Sequence, residues 1–229
     1  GDLLYGPHHN YFLVKLNLEN DPLHPKETIE FIYANIAQQL GIEMMPCELW
    51  EEKHFATHRF DRQNNQKQHV LTAAGLTGWD YQNPEDSSYE NLFKLAMALK
   101  IPLSELQQLF RRMVFNVVFN NIDDHLKNHS FCYRPGTDSW HLSPAYDLTY
   151  ALNPKLKFHK VSRALSMNGK REQINKKDLL KIADMFSIEH AEQTIQDIQE
   201  GRSLWSDLAY QNHLLPNLIA TIQQQMVEL

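Results

Sequence analysis

The sequence predicts an α+β protein built of two lobes, a small β-rich lobe at residues 1–62 and a larger helical lobe at residues 63–229. Two observations support this prediction. In the first part of the chain, short apolar runs typical of strands flank a single helical pattern, whereas apolar residues at helical spacing dominate the second part. With 229 residues and 42% hydrophobic content, the chain is long enough to bury a sizeable core.

The first lobe is expected to hold a small antiparallel sheet that carries one helix. Residues 3–5, 11–16, 47–50 and 55–60 have the apolar content typical of strands. The helix is predicted from five apolar residues at helical spacing, which are Ile29, Ile32, Tyr33, Ile36 and Leu40. Gly41 follows at a position where helix ends favour glycine.

The second lobe is expected to follow a polar linker at residues 61–68. Apolar spacing predicts helices at 89–99 and 102–121, and helical patterns recur from Asn175 onward. Between these helical regions, strand-like runs around a Pro-Gly turn predict a β-hairpin at 130–142. The lobe is therefore predicted to be mainly helical, with one hairpin.

Charge and composition narrow the classes of function. A formal net charge of −6 argues against a nucleic-acid-binding surface over the whole chain. No apolar run is long enough for a membrane span and no N-terminal signal sequence is visible, so we expect a soluble, cytoplasmic protein without membrane contact. Cys47 and Cys132 are too few for a disulfide framework and are expected to be reduced thiols.

Three polar residues of the second lobe form the most specific motif of the chain. Residues 121–128 read Asn-Ile-Asp-Asp-His-Leu-Lys-Asn, and Asp147 follows Asn128 by nineteen positions. Phosphoryl transfer in protein kinases needs a carboxylate that receives the hydroxyl proton, an Asn that holds one Mg²⁺ and a later Asp that holds another. Asp123, Asn128 and Asp147 supply these groups in that order, with the Asp-to-Asn spacing of the kinase catalytic loop.

This motif, Asp-x-His-x-Lys-Asn followed by Pro-x-Tyr-Asp, resembles the HipA family of bacterial toxin kinases. Residues 12–15 are similar to the family's strand that ends in the ATP-binding Lys, residues 30–42 to its next helix, and residues 58–62 to its Val-Glu-Arg-Phe-Asp-Arg hinge, with His58 where the family often has Glu. The resemblance covers roughly residues 10–150. The His-Arg and Asp-Phe-Gly sequences usual in other kinases are absent.

The resemblance implies a bilobal protein-kinase-like fold that uses ATP and Mg²⁺. It implies catalytic roles for Asp123 as the proton acceptor, for Lys127 beside the transferred phosphoryl group and for His125 in ordering the loop. Asn128 and Asp147 would hold Mg²⁺. The residues implied in nucleotide binding are Lys15, Glu30, His58, Arg59, Phe60 and Tyr146.

The resemblance further implies a serine/threonine protein kinase that acts as the toxin of a toxin–antitoxin system. Its partner would be a HipB-like antitoxin, DNA would be contacted only through that antitoxin, and an aminoacyl-tRNA synthetase would be the substrate. In the short HipT type, a HipS-like N-terminal subdomain is a separate protein. The family's Ser- and Gly-containing phosphate loop has no counterpart before Lys15, so the first lobe is expected to be incomplete at its start.

Some of these residues also admit simpler explanations. Asp124 is expected to be a solvated or helix-capping side chain, and Lys127 alone would be an ordinary surface Lys. Lys15 closes an apolar strand, where an ammonium is costly to bury unless an anion meets it. We expect ATP phosphate to be that anion, with Glu30 as a helix partner, and Lys15→Ala to leave the melting temperature of the free protein unchanged or raised.

Two alternative functions remain open. A pseudokinase scaffold would bind nucleotide and antitoxin without phosphoryl transfer. A metal-dependent hydrolase would be built on Asp123, His125, His129 and Asp147. The spacings His54-x₃-His58 and His125-x₃-His129 would suit a shared metal on a helix, but the first pair falls in a strand-like run.

Overall fold

The first lobe is a three-stranded antiparallel sheet with one helix packed against it. This computed structural model describes residues 10–19, 21–63, 66–152 and 162–229. The elements of the lobe are β1 (Phe12–Lys15), α1 (Lys26–Gln39), β2 (Cys47–Trp50) and β3 (His54–His58). The sequence-based prediction of these elements is confirmed, and the strand predicted at 3–5 lies outside the described residues.

The sheet places Lys15 over the interior of the lobe. Its order is β1-β3-β2, and in the β1–β3 register Lys15 pairs with Phe55. Helix α1 ends at Gln39 and is followed by Gly41 with φ of +74°, a left-handed conformation that glycine adopts without strain. The fully buried Tyr33 of α1 donates a hydrogen bond of 2.8 Å to the Phe119 carbonyl, which ties α1 to the second lobe.

The second lobe is mainly helical. Its helices are α2 (Ala73–Thr77), α3 (Tyr89–Ala98), α4 (Leu103–Val118), α5 (Lys176–Met185), α6 (Ala191–Glu200), α7 (Leu204–Gln211) and α8 (Pro216–Gln225). Its strands are β4 (Arg62–Gln63), β5 (Gln66–Lys67), β6 (His69–Thr72), β7 (Ser130–Arg134) and β8 (Ser139–Leu142). The predicted helices at 89–99 and 102–121 and the predicted hairpin are confirmed as α3, α4 and β7–β8.

Helix α4 runs through the centre of the second lobe and delivers the loop at 121–128. Nearly all of its later residues are buried, and it packs against α3 and α6. The main cluster of buried apolar residues spans both lobes, because α1 contributes to it, while Phe55 and Ala56 of β3 are buried outside it. This arrangement is the bilobal α+β fold that the sequence predicts, while the boundary at residue 62 stays a prediction.

The polar stretch at 61–68 is more structured than the sequence suggests. Strands β4 and β5 pair there in a short antiparallel hairpin. Strand β6, which the sequence analysis missed, follows at once and pairs with β7 to form a sheet of order β6-β7-β8. Across the four described ranges, no helix is both long and apolar enough to cross a membrane.

Candidate active site

A cavity of about 410 Å³ lies between the first sheet and the segment around Asp147. All six residues predicted to bind nucleotide line it, together with Asp147; they are Lys15, Glu30, His58, Arg59, Phe60 and Tyr146. Its lining also includes apolar residues that the sequence analysis did not select, namely Leu13, Met44, Met45, Phe55, Val70 and Ala145. The fold therefore gathers residues from 15 to 147 around one space with a few polar groups, which is typical of small-molecule sites.

Lys15 at the end of β1 is bound by two carboxylates. Its ammonium lies 2.8 Å from Oε1 and 2.8 Å from Oε2 of Glu30, and it also donates to Oδ1 of Asp147. Asp147 reaches this position with φ of +53°, and the Ala145 amide fixes its segment by donating to the Glu43 carbonyl at 2.8 Å. The expected Lys15–Glu30 pair is present. Asp147 is a further anion beside Lys15 that the sequence analysis did not expect, so two carboxylates already offset the charge of Lys15 in the free protein.

One ammonium facing two carboxylates leaves this cluster with an excess of negative charge. Burial raises the pKa of Glu30 to about 7, and the attraction of Lys15 offsets only part of that effect. Burial by itself would lower the pKa of Lys15, but Glu30 and Asp147 outweigh it and the pKa is raised. Lys15 therefore stays charged, while Glu30 takes up a proton more readily than an exposed Glu.

The predicted hinge forms another part of the cavity wall. The His58 amide donates to the Pro46 carbonyl at 3.0 Å, but Pro46 has no N–H to donate to the His58 carbonyl in return. The Arg59 guanidinium is engaged by Asp61, with hydrogen bonds of 2.8 and 2.6 Å, so it does not enter the cavity as a free charge. The Phe60 ring stacks on Tyr146 with ring centroids 5.9 Å apart.

The loop that carries the predicted catalytic residues lies beside the cavity and not in its wall. The Asp123 side chain is 69% exposed, and its Oδ1 is 4.0 Å from Nε2 of His125. The side-chain Nδ2 of Asn128 donates to the Asp123 carbonyl at 2.9 Å, which closes the loop on itself. The Tyr146 hydroxyl donates to the Lys127 carbonyl at 2.8 Å and so joins the loop to the cavity wall.

Tyr81 is a contact of this loop that the sequence analysis missed. Its ring lies under the Lys127 ammonium, at 3.7 Å from Nζ to the ring centroid, and meets the His125 ring edge-on at 5.4 Å. Tyr81 lies in an irregular polar stretch between α2 and α3, where no apolar periodicity marks it. Only the folded structure brings it to the loop.

The prediction that Asp124 is solvated or caps a helix is wrong. Its side chain is 0% exposed and accepts a hydrogen bond of 2.7 Å from the buried Tyr89 hydroxyl. Burial raises the pKa of Asp124, and nearby Arg163 opposes this rise. Adjacent acids thus have opposite environments, because the chain turns one side chain outward and the next inward.

The histidine pairs do not form a metal site. His54 and His58 lie on β3, where an i, i+4 pair is separated by about 13 Å. His129 is buried, and burial lowers its pKa to about 3, so it is a neutral interior side chain. In the part of the chain that the structure describes, no three His, Cys, Asp or Glu side chains converge to hold a metal ion.

Comparisons with known proteins agree with this geometry. The family model described as HipA-like C-terminal domain matches residues 4–205. The putative kinase Y4dM of Sinorhizobium fredii is 28% identical over 134 residues, covering 52% of this chain and 32% of that protein. The serine/threonine-protein kinase toxin HipA of Shewanella oneidensis is 25% identical over 143 residues, covering 52% of this chain and 33% of that protein. The matched region thus spans about a third of the curated relatives' length.

Two solved structures share the fold. The HipA of Shewanella oneidensis, in a complex with HipB and operator DNA, matches with a TM-score of 0.73 and 19% identity, covering 93% of this chain and 56% of that chain. The Helicobacter pylori proinflammatory kinase CtkA matches with a TM-score of 0.59 and 14% identity, covering 95% of this chain and 86% of that chain. The kinase-like fold class is therefore confirmed.

Proposed function

Because this chain belongs to the HipA-like C-terminal domain family, we propose that it binds ATP and Mg²⁺ in the cavity between its lobes and phosphorylates serine or threonine hydroxyls of a protein. One observation carries the proposal. Lys15 bridges Glu30 and Asp147 in the cavity wall, and Tyr146 links that wall to the loop of Asp123. A strand Lys paired with a helix Glu, beside a metal-binding Asp, is the arrangement that protein kinases use to hold a nucleotide.

The residues of the cavity fit a nucleotide with its metal. Asp147 and Asn128 offer the oxygen ligands that Mg²⁺ prefers, and Mg²⁺ at kinase sites needs few protein ligands because phosphates supply others. Held by these two side chains, Mg²⁺ would supply positive charge that offsets the negative charge of the phosphates. Lys15 would pair with the phosphates while Glu30 keeps its ammonium in place. The apolar lining beside Phe60 suits a flat base, and the His58 carbonyl, without a donor from Pro46, is available to it.

The loop residues would act on the acceptor. Asp123 is exposed on the loop that Tyr146 joins to the cavity wall, so it would take the proton from the substrate hydroxyl. Lys127, whose ammonium lies over the Tyr81 ring, would offset negative charge on the transferred phosphoryl group. His125, which lies between Asp123 and Tyr81, would order the loop.

The setting of this activity is proposed from the relatives. HipA of Shewanella oneidensis forms a complex with HipB and operator DNA, which supports a HipB-like antitoxin as partner and DNA contact only through it. The net charge of −6 agrees with indirect DNA contact. We further propose a cytoplasmic toxin that phosphorylates an aminoacyl-tRNA synthetase and so inhibits translation, with a separate HipS-like subdomain protein as a possible second partner of the short HipT type.

Two substitutions test the assignment of base and metal ligand. Asp123→Asn is expected to lower phosphoryl transfer by about 10²- to 10⁴-fold and to leave Mg·ATP affinity within a few fold, because it removes only a proton acceptor. Asp147→Asn is expected to weaken Mg·ATP binding as well. Titration calorimetry gives the affinity, and radiolabelled ATP with purified aminoacyl-tRNA synthetases or with casein gives the transfer.

The control is Asp184→Asn, an exposed carboxylate on α5, which should leave both quantities at the wild-type level. Full transfer by Asp123→Asn would refute its assignment as the base. Mg·ATP binding by the wild type with no transfer to any acceptor would instead favour the pseudokinase scaffold. Transfer to casein but to no synthetase would refute only the proposed substrate.

A further inference from the structure

Arg163 is a buried arginine that meets the interior side of the proposed catalytic loop. Its Nη1 lies 3.7 Å from Oδ2 of Asp124, and it donates to the carbonyls of Asn116 at 2.9 Å and Asn121 at 2.7 Å. Its side chain is only 5% exposed. A buried guanidinium needs such acceptors, because it cannot lose its charge. Arg163 therefore binds the end of α4, the start of the loop and the buried carboxylate together.

The backbone around Arg163 extends this contact. The Ala164 amide donates to the Ile122 carbonyl at 2.8 Å, and the Leu165 amide donates to Oδ1 of Asp124 at 3.5 Å. The Ser166 carbonyl then accepts a hydrogen bond of 2.9 Å from the Tyr89 amide at the start of α3. The segment 163–166 thus lies against the loop on one side and against α3 on the other.

A chain of buried side-chain hydrogen bonds completes the arrangement. Asn121 donates to Asn116 at 3.0 Å, Asn116 donates to the Tyr89 hydroxyl at 3.0 Å, and that hydroxyl donates to Asp124 at 2.7 Å. Each side chain in this series donates a hydrogen bond to the next. The loss of one side chain therefore leaves a buried polar group without its partner. The backbone that carries the exposed Asp123 is therefore fixed from its interior side at residues 121, 122 and 124.

We propose that Asp124 and Arg163 are positioning residues that hold Asp123 at the distance from the cavity that proton transfer requires. The proposal rests on the proposed function of Asp123 as proton acceptor. A catalytic group must stand within a fraction of an ångström of its working position, and an error of about 1 Å can lower turnover by about 100-fold. The pair ties the loop to α3 and α4, and its hydrogen bonds reach none of the cavity-lining residues Lys15, Glu30 and Asp147, so it should govern turnover and not nucleotide affinity.

Asp124→Asn tests the pair directly. The Asn keeps an oxygen that accepts from Tyr89, but it loses the charge that faces Arg163 and the oxygen that accepts from the Leu165 amide. We expect kcat to fall by about 10- to 100-fold while KM for ATP and the Mg·ATP affinity change by less than about threefold. Amide hydrogen exchange at residues 121–128 should become faster. Tyr89→Phe, which keeps the ring and removes only the hydroxyl, should show a smaller change of the same kind and serves if Asp124→Asn does not fold.

The matched control is Asp178→Asn. Asp178 is equally buried, pairs with Lys170 and caps the start of α5, so its loss should lower stability without changing kcat or the exchange of the loop. The proposal is overturned if Asp124→Asn and Tyr89→Phe keep wild-type kcat and loop exchange. It is also overturned if kcat falls no more than in Asp178→Asn, or if nucleotide affinity falls in proportion to kcat.

Hydrogen exchange separates this proposal from the proposed function. If the wild type transfers no phosphate, the assignment of Asp123 as a base fails, but exchange still reports whether Asp124 holds the loop. If the wild type transfers phosphate and the exchange of the loop does not respond to Asp124→Asn, the proposed function stands and the positioning role fails.

Discussion

The cavity wall and the loop beside it differ in how far their charged side chains are buried and paired. In the wall, the Glu30 side chain is 9% exposed and shares the Lys15 ammonium with Asp147. In the loop, the Asp123 side chain is 69% exposed, and Lys127 rests on an aromatic ring. In the wall, the Lys15 ammonium is paired with carboxylates before any ligand binds, whereas the loop leaves Asp123 and Lys127 exposed and is held in place by buried side chains.

This difference predicts which property, stability, ligand affinity or turnover, a substitution will change. A buried ion pair that loses one partner leaves an uncompensated charge, so changes in the wall should affect stability and ligand affinity together. An exposed carboxylate contributes little to stability, so changes at the loop tip should affect turnover alone. Three measurements can break or sharpen the contrast.

The largest effect is expected in the pH dependence of stability, through Glu30. Its pKa is about 7 in the folded chain against a usual value of 4.5, so the folded state binds more protons than the unfolded state between these pH values. Stability should therefore fall as pH rises from about 4.5 to about 7, by up to about 3 kcal/mol, and should show no further change from Glu30 above that range. Glu30→Gln should lack this fall.

Urea unfolding of the wild type and of Glu30→Gln across the pH range measures this fall in stability. The difference between the two curves of stability against pH separates the contribution of Glu30 from that of other titrating groups. Glu43→Gln, at an exposed carboxylate of the same lobe, controls for the loss of one charge and should follow the wild type. Parallel curves for the wild type and Glu30→Gln would show that burial in the wall does not raise the pKa of Glu30.

The second effect concerns Lys15→Ala. Removing the ammonium leaves Glu30 and Asp147 without their shared partner, so the free protein should lose about 2 kcal/mol, somewhat less than a fully buried pair because the Lys15 side chain is 36% exposed. ATP affinity should fall at least about tenfold. This replaces the sequence-based expectation of an unchanged or higher melting temperature, which took ATP phosphate as the anion of Lys15.

Lys53→Ala is the matched control for Lys15. Its side chain is 37% exposed, but its partner Glu51 is 75% exposed at 3.9 Å, so the change should cost less than about 0.5 kcal/mol. Thermal and urea unfolding with calorimetric ATP titration compare the two. Equal stability losses in both variants would mean that the Lys15 cluster is no more than a surface ion pair.

The sequence predicted best what depends on local spacing. The helix α1 and the strands β1 to β3 follow from apolar periodicity and the Gly after α1, and the motif residues Lys15, Glu30 and Asp147 do meet in one cluster. The prediction failed where a distant partner decides the outcome. Asp124 looks like any loop acid until Arg163, thirty-nine residues later, is brought beside it. Strand β6 is four residues long and acquires its partner β7 only across some sixty residues, so no local pattern marks it.

The smallest effect is expected at Tyr81, which holds the loop through its ring. A cation–π contact at 3.7 Å contributes roughly 0.5–2 kcal/mol, so Tyr81→Leu should lower kcat by roughly three- to tenfold through a less ordered Lys127. Tyr81→Phe keeps the ring and should stay within about twofold of the wild type, and Tyr210→Leu controls for loss of an exposed aromatic ring on α7. Initial rates of phosphoryl transfer at saturating Mg·ATP are compared for these three variants and the wild type. If Phe and Leu at position 81 lower kcat equally, the hydroxyl and not the ring matters; if neither lowers it, Lys127 needs no support from the ring.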